Sequence, residues 1–545
     1  MKDDLFTFLV GGKAGEGVKK SASTVADMLL SMGRNVFIMD DYQNLIYGGH
    51  NFSVVSSSVD EISSQYTRCD LAVLFDQRSV DTHKKDLSGS VMVYNSDAAQ
   101  SDGIGIPMSS EASKYARPEF MFGVAGVAVF AAYAGLGKAE LESTIKKEYK
   151  RNVEGNLSYA DVIYGIAEKA FSRKRELKKT GNMKKLLTGN EAIALGAYAG
   201  GLDIYFAYPM TPSSSLMHFL ASHQKDMGIT VIHPESEIAV INMALGAASM
   251  GARAMVGSSG GGFALMQEGL SLAGMAEVPV MCLLSMRSGP STGVPTYTEQ
   301  GDLHFALNQG HGEFAKIVAA PGSVDEAFYL SSELLSLAWR FQCVSILLSD
   351  KHMSEGSMSV SLETQKAKWA KGDTFEGDGY KRYAYTENGV SPLLYPPSRE
   401  IIKWTSYEHD EMGIATEEAE TIKRMHEKRM RKKNSITEEL KRMKTVNSYG
   451  SGEAVIFTYG STTMSVIEAL RYGDINARVV QPIYLEPFPS WAIEDRGGIV
   501  VEMSCEGQFE RLLKENGISA SGRIRKYDGR PFDPEALAKD IKEMI

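Results

Sequence analysis

The chain has 545 residues, 43% hydrophobic and 23% charged, with a formal net charge of −10. This balance is that of an ordinary globular protein with roughly three or four domains. The negative charge argues against a general affinity for nucleic acid or anionic membranes. The four cysteines, Cys69, Cys282, Cys343 and Cys505, form no CxxC pair. This excludes a local iron–sulfur or zinc motif and fits a reducing compartment.

The first 172 residues alternate apolar runs with amphipathic stretches. The runs LFTFLV (5–10), NVFIMD (35–40) and DLAVLFD (70–76) predict strands, and VKKSASTVADMLLSMG (18–33) predicts a helix. This alternation predicts an α/β unit with a parallel sheet. The first residues lack the basic region, apolar core and cleavage site of a signal peptide, so we expect a cytoplasmic location.

One segment of this unit resembles a membrane span. Residues 120–137 (FMFGVAGVAVFAAYAGLG) are uncharged over about the minimum length needed to cross a bilayer. The segment is rich in glycine and alanine and has no aromatic belt. We therefore expect a buried helix packed closely against a sheet, and no membrane association.

A basic stretch over residues 173–185 predicts a linker. A second α/β unit follows over 186–355, with strands expected at DIYFAY, TVIHP, ARAMVGSS, VPVMCLLSM and VSILLSD. Residues 356–446 are polar and irregular. Their strongly charged segment from Thr416 to Met443 predicts a solvated helix or one that braces another chain. A third α/β unit is expected over 447–545.

Three places in the central unit gather groups that bind ligands. The first is FAYPMTPSSS (206–215), where Ser213 to Ser215 can cap a helix and Thr211 is left unexplained. In the second, Glu235 and Glu237 precede a helix that is apolar nearly all round, which predicts a buried helix. A capping role explains one of these carboxylates. The other could share a proton with a ligand nitrogen.

The third place combines glycines with an arginine. Gly260 to Gly262 begin a helix after a strand, and Arg287 ends another strand before SGPSTG. At the carboxyl edge of a parallel sheet, such an arginine is well placed to bind a carboxylate or phosphate. The glycines of GGKAGEGV (11–18) lack the dinucleotide spacing, so a nucleotide site and a tight turn both stay open there. The histidines show no metal-binding spacing.

Together these motifs resemble the α subunit of 2-oxoacid:ferredoxin oxidoreductases. YPMTPSSS, ESEIAVINMALGAASMG, SSGGGFALMQE and RSGPSTGVPTYTEQGDL occur in the family's order. GKAGEGV and DYQNLIYGGHNFSVV resemble the family's γ subunit, fused here ahead of α. YKRYAYTENGVSP, EHDEMG and EPFPSW match later α regions, so the resemblance covers essentially the whole chain.

The resemblance implies an enzyme that oxidatively decarboxylates a 2-oxoacid, of 2-oxoglutarate or broad type including pyruvate. The acyl group would pass to coenzyme A and two electrons to ferredoxin, with thiamine diphosphate as cofactor. The pyrimidine half of the cofactor would lie on this chain. The diphosphate, Mg²⁺ and a [4Fe–4S] cluster would lie on a separate β subunit, in a heterodimer or a dimer of heterodimers.

This division explains why the sequence has neither a diphosphate motif nor a cysteine cluster. The Gly-Asp-Gly at Gly377 to Gly379 lacks the preceding strand and the later Asn pair of a diphosphate motif. We accordingly expect no metal site on this chain. The resemblance also implies three α/β domains: a γ-like domain (1–172), a thiamine-diphosphate pyrimidine-binding domain (186–355) and a transketolase C-terminal-like domain (447–545).

The resemblance assigns roles to single residues. Glu237 aligns with the glutamate that contacts N1′ of the aminopyrimidine, Thr211 with a threonine near substrate and cofactor. Arg287 aligns with the arginine that holds the 2-oxoacid carboxylate, which suits its planar fork. The cofactor-binding residues implied are Tyr208, Pro209, Glu237, Gly260 and Gly261; the substrate-binding residues are Thr211, Arg287 and Ser288.

The chain departs from the family pattern at several positions. Met210 replaces an isoleucine, SSGGG replaces Ser-Gly-Pro-Gly, Ser288 replaces a glycine, and Cys505 replaces an asparagine. The roles of Cys505 and of residues 408–411 (EHDE) are left unassigned. Two other functions stay open. One is a subunit of a non-oxidative thiamine-dependent 2-oxoacid decarboxylase, and the other a non-catalytic nucleotide-binding regulatory protein.

Overall fold

The computed structural model describes residues 4–42, 49–85, 87, 89–181 and 184–545. Two predicted features extend beyond this part of the chain. Residues 43–48 of the motif DYQNLIYGGHNFSVV and residues 182–183 of the predicted linker lie outside the described residues.

The chain forms three β-sheets flanked by helices, which confirms the α/β class. The elements of the first segment are β1 (Phe6–Lys13), α1 (Val18–Ser31), β2 (Asn35–Tyr42), β3 (His50–Ser58), β4 (Leu71–Leu74), α2 (Gln77–His83), β5 (Val91–Asn95), β6 (Ile104–Ile106), α3 (Met108–Ala112), α4 (Phe122–Tyr133), α5 (Lys138–Glu148) and α6 (Val153–Ala170).

The central segment contributes most of the second sheet. Its elements are β7 (Lys185–Thr188), α7 (Gly189–Ala199), β8 (Ile204–Phe206), α8 (Ser214–Met227), β9 (Thr230–Ile232), α9 (Glu237–Ser249), β10 (Ala254–Ser258), α10 (Gly260–Leu265), α11 (Gln267–Ala276), β11 (Val280–Met286), α12 (Leu303–Leu307), β12 (Lys316–Ala319), α13 (Val324–Phe341), β13 (Val344–Asp350), α14 (Lys351–Glu355) and β14 (Ser357–Val360).

A long helix leads from the irregular region into the third sheet. The remaining elements are α15 (Ala419–Leu440), β15 (Val446–Tyr449), β16 (Ala454–Phe457), α16 (Thr462–Gly473), β17 (Ala477–Pro482), β18 (Tyr484–Glu486), β19 (Gly497–Glu502), α17 (Gln508–Glu515), β20 (Ser519–Arg525) and α18 (Pro534–Lys542).

The first sheet is mixed, so the prediction of a parallel sheet was wrong for half of it. Its order is β6-β5-β4-β1-β3-β2-β14-β7. Strands β1, β4, β5 and β6 are parallel, whereas β3 lies antiparallel between β1 and β2. Only seven residues separate β2 from β3. Such a short connection returns the chain antiparallel, because a parallel crossover needs a dozen residues or more.

Strands from later segments complete the first two sheets. From the central segment, β14 pairs with β2 and β7 pairs with β14 at the edge of the first sheet. The antiparallel strand β18 pairs with β12 at the edge of the second sheet. The first sheet therefore contains two strands from the central segment, and the second sheet contains one strand from the C-terminal segment. Backbone hydrogen bonds between these strands join the segments.

The glycine- and alanine-rich segment forms α4, and the prediction of a buried helix is confirmed. Eleven of its residues, from Gly123 to Tyr133, are buried. Gly123 meets the backbone of Gly17, and a Cβ added at Gly123 would lie 3.0 Å from the Gly17 carbonyl oxygen. Glycine here lets α4 approach the start of α1. Among the described residues, no helix combines the length and the apolar character that crossing a membrane requires.

The second sheet has the order β18-β12-β13-β11-β10-β8-β9. All five strands predicted for the central segment are present, as β8, β9, β10, β11 and β13. The prediction omitted β12, which has only four residues and begins at a lysine. The third sheet has the order β15-β17-β16-β19-β20.

Helix α15 corrects one prediction. The charged segment was expected to be solvated or to brace another chain, yet α15 buries Met425, Ile436 and Leu440 together with Lys428 and Lys432. It packs against the central unit and against the irregular region, whose Tyr380, Arg382 and Tyr383 are also buried. Charged residues can form a buried helix face where counter-charges meet them.

The counter-charge is Glu277, which is 1% exposed at the end of α11. Its carboxylate accepts from Lys428 Nζ at 2.7 Å and also pairs with Lys432. Arg382 donates to the Glu277 carbonyl oxygen at 2.8 Å. Burial works to raise the pKa of Glu277, but the charges of Lys428 and Lys432 outweigh it and hold this pKa well below its usual range. This cluster fastens α15 to the central unit.

We predict that Glu277→Gln destabilises the chain by about 3–5 kcal/mol, because it leaves two buried lysines without their counter-charge. The free energy of unfolding can be measured by urea denaturation followed through tryptophan fluorescence. Glu363→Gln, which breaks an exposed pair with Lys366 at 2.6 Å, serves as the control and should cost at most about 1 kcal/mol. Equal unfolding midpoints for the two variants would contradict the assigned role.

Candidate active site at the carboxyl edge of the central sheet

The residues singled out from sequence lie on loops that follow parallel strands of the second sheet. Residues 207–213 follow β8, residues 233–236 follow β9, and residues 287–302 follow β11. The chain runs from β8 to β9 on one side and then crosses to β10 on the other side of β8. A crevice at the carboxyl ends of strands next to such a reversal is the usual ligand site of open α/β sheets.

Glu237 is the first residue of α9, and its side chain is 3% exposed. Ser236 caps this helix through its hydroxyl, so the Glu237 carboxylate is not needed as a cap. Ser258 Oγ donates to Glu237 Oε1 at 3.4 Å. Within the described part of the chain, this is the carboxylate's one hydrogen bond, and it is long. The carboxylate therefore has capacity for a ligand.

Glycine at position 262 makes room for this carboxylate. A Cβ added at Gly262 would lie 2.3 Å from Glu237 Oε1 and 2.0 Å from Ser258 Oγ. Any side chain there would displace both groups. The triple glycine that replaces Ser-Gly-Pro-Gly thus has a steric role at its third position.

Thr211 and Arg287 contact each other, on the loops that follow β8 and β11. Arg287 Nη1 donates to the Thr211 carbonyl oxygen at 2.8 Å, and both residues are half-buried. Burial lowers the pKa of Arg287, and the charge of Asp302 opposes this shift. The Thr211 carbonyl oxygen accepts one N–H of the guanidinium, and the remaining N–H groups are available to bind an anion.

Tyr208 and Pro209 form the rim of the crevice. Tyr208 is 39% exposed, and its ring centroid lies 5.7 Å from that of His233. Pro209 is half-buried, and Met210 behind it accepts from Ser258 Oγ at 3.8 Å through its sulfur. Met210, the residue that replaces isoleucine, therefore contacts the serine that also bonds Glu237.

Gly260 and Gly261 form the first turn of α10. A Cβ at Gly260 would lie 2.6 Å from Asp302 Oδ2, whereas one at Gly261 would meet nothing closer than 3.9 Å. Ser259, which precedes them, is fully buried and its hydroxyl has no partner among the described residues. Close backbone approach is thus required at Gly260 but not at Gly261.

Ser288 follows Arg287 directly but is engaged elsewhere. Its hydroxyl donates to Glu299 Oε2 at 2.8 Å, and it forms an isolated bridge with Val294. At this position, where the family pattern has glycine, the Ser288 hydroxyl forms a hydrogen bond within its own loop. The role of Ser288 in substrate binding stays a prediction.

Two residues near the site were missed from sequence. Asn190 in α7 is fully buried, donates to the Pro212 carbonyl oxygen at 2.8 Å and leaves its own Oδ1 unpaired. Asp302 follows Gln300 and Gly301 in the quoted motif TEQGDL and reaches Gly260. The motif itself was a signal for Asp302. For Asn190 no local signal existed, because its contact is formed by the tertiary fold.

Three other sequence features have ordinary structural roles. Glu408 pairs with Arg429, and Glu411 pairs with Lys381 at 3.0 Å, so the EHDE turn is held by ion pairs. Gly377 to Gly379 lie in an irregular, exposed loop. Cys505 is exposed, and its carbonyl oxygen accepts from Arg525. Among the described residues, no three His, Cys, Asp or Glu side chains are placed to share a metal ion.

One face of α9 differs from the prediction. The helix was expected to be buried nearly all round, yet Ile238 is 55% exposed, Met243 47% and Met250 55%. Leu265 at the end of α10 is 51% exposed. Ile238 directly follows Glu237 in the sequence, and we call these four exposed apolar residues of α9, its C-terminal cap and α10 the α9 face.

Two family models match the chain. A family model described as "Pyruvate flavodoxin/ferredoxin oxidoreductase, thiamine diP-bdg" matches residues 195–428. A second, "Pyruvate ferredoxin/flavodoxin oxidoreductase", matches residues 7–166. The two matches cover the first and central segments of the chain.

Similar proteins include full-length relatives. The 2-oxoacid:ferredoxin oxidoreductase subunit alpha of Sulfolobus sp is 30% identical over 98% of this chain and 97% of its own. The 2-oxoglutarate synthase subunit KorA of Archaeoglobus fulgidus is 39% identical over 38% of this chain and 61% of its own. A solved structure, the 2-oxoglutarate:ferredoxin oxidoreductase from Magnetococcus marinus with 2-oxoglutarate, coenzyme A and succinyl-CoA bound, covers 99% of both chains with a TM-score of 0.90 and 27% identity.

We predict that alanine substitutions at two neighbouring glycines of α10 change the free energy of unfolding differently. Gly262→Ala should cost about 1–3 kcal/mol of unfolding free energy, because the new methyl group overpacks the Ser258 and Glu237 side chains. Gly261→Ala should be neutral or stabilise by up to about 1 kcal/mol, because its position is open. Thermal unfolding of both variants measures this difference. A loss at Gly261 equal to that at Gly262 would contradict the packing described.

Proposed function

Because the chain belongs to the family of 2-oxoacid:ferredoxin oxidoreductase α subunits, we propose that it serves in an enzyme that oxidatively decarboxylates a 2-oxoacid. The acyl group passes to coenzyme A and the electrons to ferredoxin. The substrate is 2-oxoglutarate or a broader set that includes pyruvate. The observation that carries this proposal is the placement of Glu237, Thr211 and Arg287 around one crevice. The γ-like, pyrimidine-binding and transketolase C-terminal-like domains are proposed with the boundaries given above.

The crevice fits the aminopyrimidine half of thiamine diphosphate. Glu237 offers a buried carboxylate with spare capacity, and Gly262 keeps the space beside it free. Ser259 Oγ and Asn190 Oδ1 are buried without partners among the described residues, which is expected where a ligand supplies hydrogen bonds. When bound, the cofactor supplies the carbanion chemistry of decarboxylation.

In this proposal Glu237 shares a proton with the ring nitrogen N1′ of the pyrimidine. Water in contact with the carboxylate would weaken this hydrogen bond. Glu237 is only 3% exposed, so its carboxylate is shielded from water. Tyr208 and Pro209 would hold the cofactor at the rim, and Gly260 and Gly261 in the first turn of α10 would contact it. The position of these residues at the carboxyl edge of the sheet supports these roles.

Arg287 holds the substrate carboxylate through the N–H groups that Thr211 leaves free. The bond from Nη1 to the Thr211 carbonyl at 2.8 Å sets the orientation of the guanidinium before substrate arrives. Such preorganisation lowers the cost of binding. Thr211 itself contributes a side-chain hydroxyl next to the bound carboxylate, and Ser288 with Glu299 holds the loop that carries Arg287.

The exposed α9 face supports a partner subunit. Its residue Ile238 directly follows Glu237, and the names of the relatives as alpha subunits imply a further chain. We propose that a β subunit covers this face and brings the diphosphate site, Mg²⁺ and the [4Fe–4S] cluster. Exposed apolar patches next to a ligand site are characteristic of interfaces.

Coenzyme A would bind at the first segment. A cavity of about 450 Å³ is lined by Lys20, Arg117, Lys150 and Arg151 together with the exposed ring of Phe120. The helices α1 and α6 begin at this cavity, and neither has a side-chain cap. Cations and free helix N-termini favour phosphate groups, and an aromatic ring can stack on a base. The GGKAGEGV loop, which ends at this cavity, then serves a co-substrate.

The central test is ferredoxin reduction by the chain reconstituted with its β subunit. We predict that Glu237→Gln lowers the 2-oxoacid- and coenzyme A-dependent rate by about 10²–10⁴-fold, because the shared proton is lost. Glu235→Gln, an exposed neighbour in the same loop, is the matched control and should retain the wild-type rate. Carbon dioxide release by the wild type without ferredoxin reduction would instead favour the non-oxidative decarboxylase.

The coenzyme A site has its own test. We predict that Arg117→Ala and Arg151→Ala each raise the KM for coenzyme A by about tenfold, since a charge-assisted bond to phosphate contributes about 1.5–3 kcal/mol. The KM for the 2-oxoacid should stay unchanged. Lys114→Ala, in an exposed pair with Glu111, is the control. An unchanged KM for coenzyme A in both arginine variants would place its site elsewhere.

A further inference from the structure

Asp302 occupies a distinctive position in the crevice. It precedes α12 at the capping position, yet its side chain makes no capping hydrogen bond. The carboxylate instead reaches across to α10, where a Cβ at Gly260 would meet Oδ2 at 2.6 Å. Across the part of the chain that the structure describes, this carboxylate accepts no hydrogen bond. A half-buried carboxylate without a partner needs another explanation.

The titratable groups around Asp302 come from three elements. Arg287, on the loop after β11, is the cation that faces it, and Glu299 on the same loop is a like charge. Tyr459, before α16, is buried and neutral. Glu237 lies against Gly262, on the other side of the first turn of α10. Burial raises the pKa of Asp302 to about 6, Glu299 adds to this shift, and Arg287 opposes it.

Resting on the proposed function, we propose that Asp302 balances the charge of the 2-oxoacid pocket. It takes up a proton from solvent when an anionic 2-oxoacid binds to Arg287, and it returns the proton when the anion leaves. Asp302 is thus a charge-balancing residue for substrate binding, and its side chain is placed to act on Arg287 without contacting it.

The direction of the effect follows from charge. In the free site above pH 6, an ionised Asp302 offsets the charge of Arg287. A bound carboxylate adds a second negative charge next to Asp302, and a like charge raises the pKa of a carboxyl group by about one unit or more. Substrate therefore binds best where Asp302 is protonated. Its affinity falls as pH rises through the window between the two pKa values, by about tenfold for a one-unit difference.

The test measures the KM for the 2-oxoacid between about pH 5 and pH 8, roughly one unit beyond the expected window on each side, in the complex with the β subunit. In the wild type the KM should rise by about tenfold across this range. In Asp302→Asn it should be low and nearly constant, because the neutral amide never opposes the anion. Asp226→Asn, on the exposed face of α8, should keep the wild-type profile.

A second variant probes the electrostatic origin. Glu299→Gln keeps a hydrogen-bond acceptor for Ser288 but removes the like charge, so the rise in KM should begin at lower pH. A merely structural role of Asp302 would not shift this midpoint. Calorimetric titration of the complex with oxamate, an unreactive monoanion, should show proton uptake near pH 7 in the wild type and none in Asp302→Asn.

The outcomes separate two failures. If Asp302→Asn retains the wild-type pH profile and proton uptake, Asp302 does not balance the charge of the pocket, while the proposed function is unaffected. If the wild-type complex shows no 2-oxoacid-dependent ferredoxin reduction, the proposed function fails, and the role of Asp302 fails with it.

Discussion

The crevice depends on the buried amide of Gln300. Gln300 Nε2 donates to Asp350 Oδ2 at 3.2 Å and to the Tyr459 carbonyl oxygen at 3.3 Å. Its Oε1 accepts from Thr462 Oγ1 at 2.8 Å and from the Met503 amide at 3.2 Å. A fully buried amide with all of these bonds is strongly constrained, because each lost bond would leave a buried polar group unpaired. The loop that carries Arg287 and ends at Asp302 is thereby held in place.

The same network connects the third sheet to the candidate site through hydrogen bonds within the chain. Asp350 at the end of β13 accepts from Ser461 Oγ at 2.6 Å and from the Met353 amide at 3.0 Å. Burial raises the pKa of Asp350, and these hydrogen bonds oppose the shift. Ser461 and Thr462 open α16 of the third sheet. The C-terminal unit therefore holds the loop of residues 288–302 in place through its hydrogen bonds to Gln300.

How much of this was visible in the sequence differs from element to element. The loops with Thr211, Glu237 and Arg287 were predictable, because strand ends and helix starts can be found from local patterns. The exposure of the α9 face was not, because an apolar helix has the same sequence whether its own chain or a partner covers it. The burial of Lys428 and Lys432 was also hidden, because their counter-charge Glu277 lies about 150 residues away in sequence.

The first sheet joins the first segment to the central segment by strand pairing. β14 and β7 close its edge, and Arg530 from the C-terminal unit lies 3.6 Å from the Tyr297 ring centroid and 3.4 Å from Asp41. Thr298 donates its amide to the Gly529 carbonyl at 3.1 Å. Arg530 thus contacts the first segment at Asp41 and the loop that carries Arg287 at Tyr297. The backbone hydrogen bond from Thr298 to Gly529 is a further contact between this loop and the C-terminal segment, so the position of the loop depends on residues far from it in sequence.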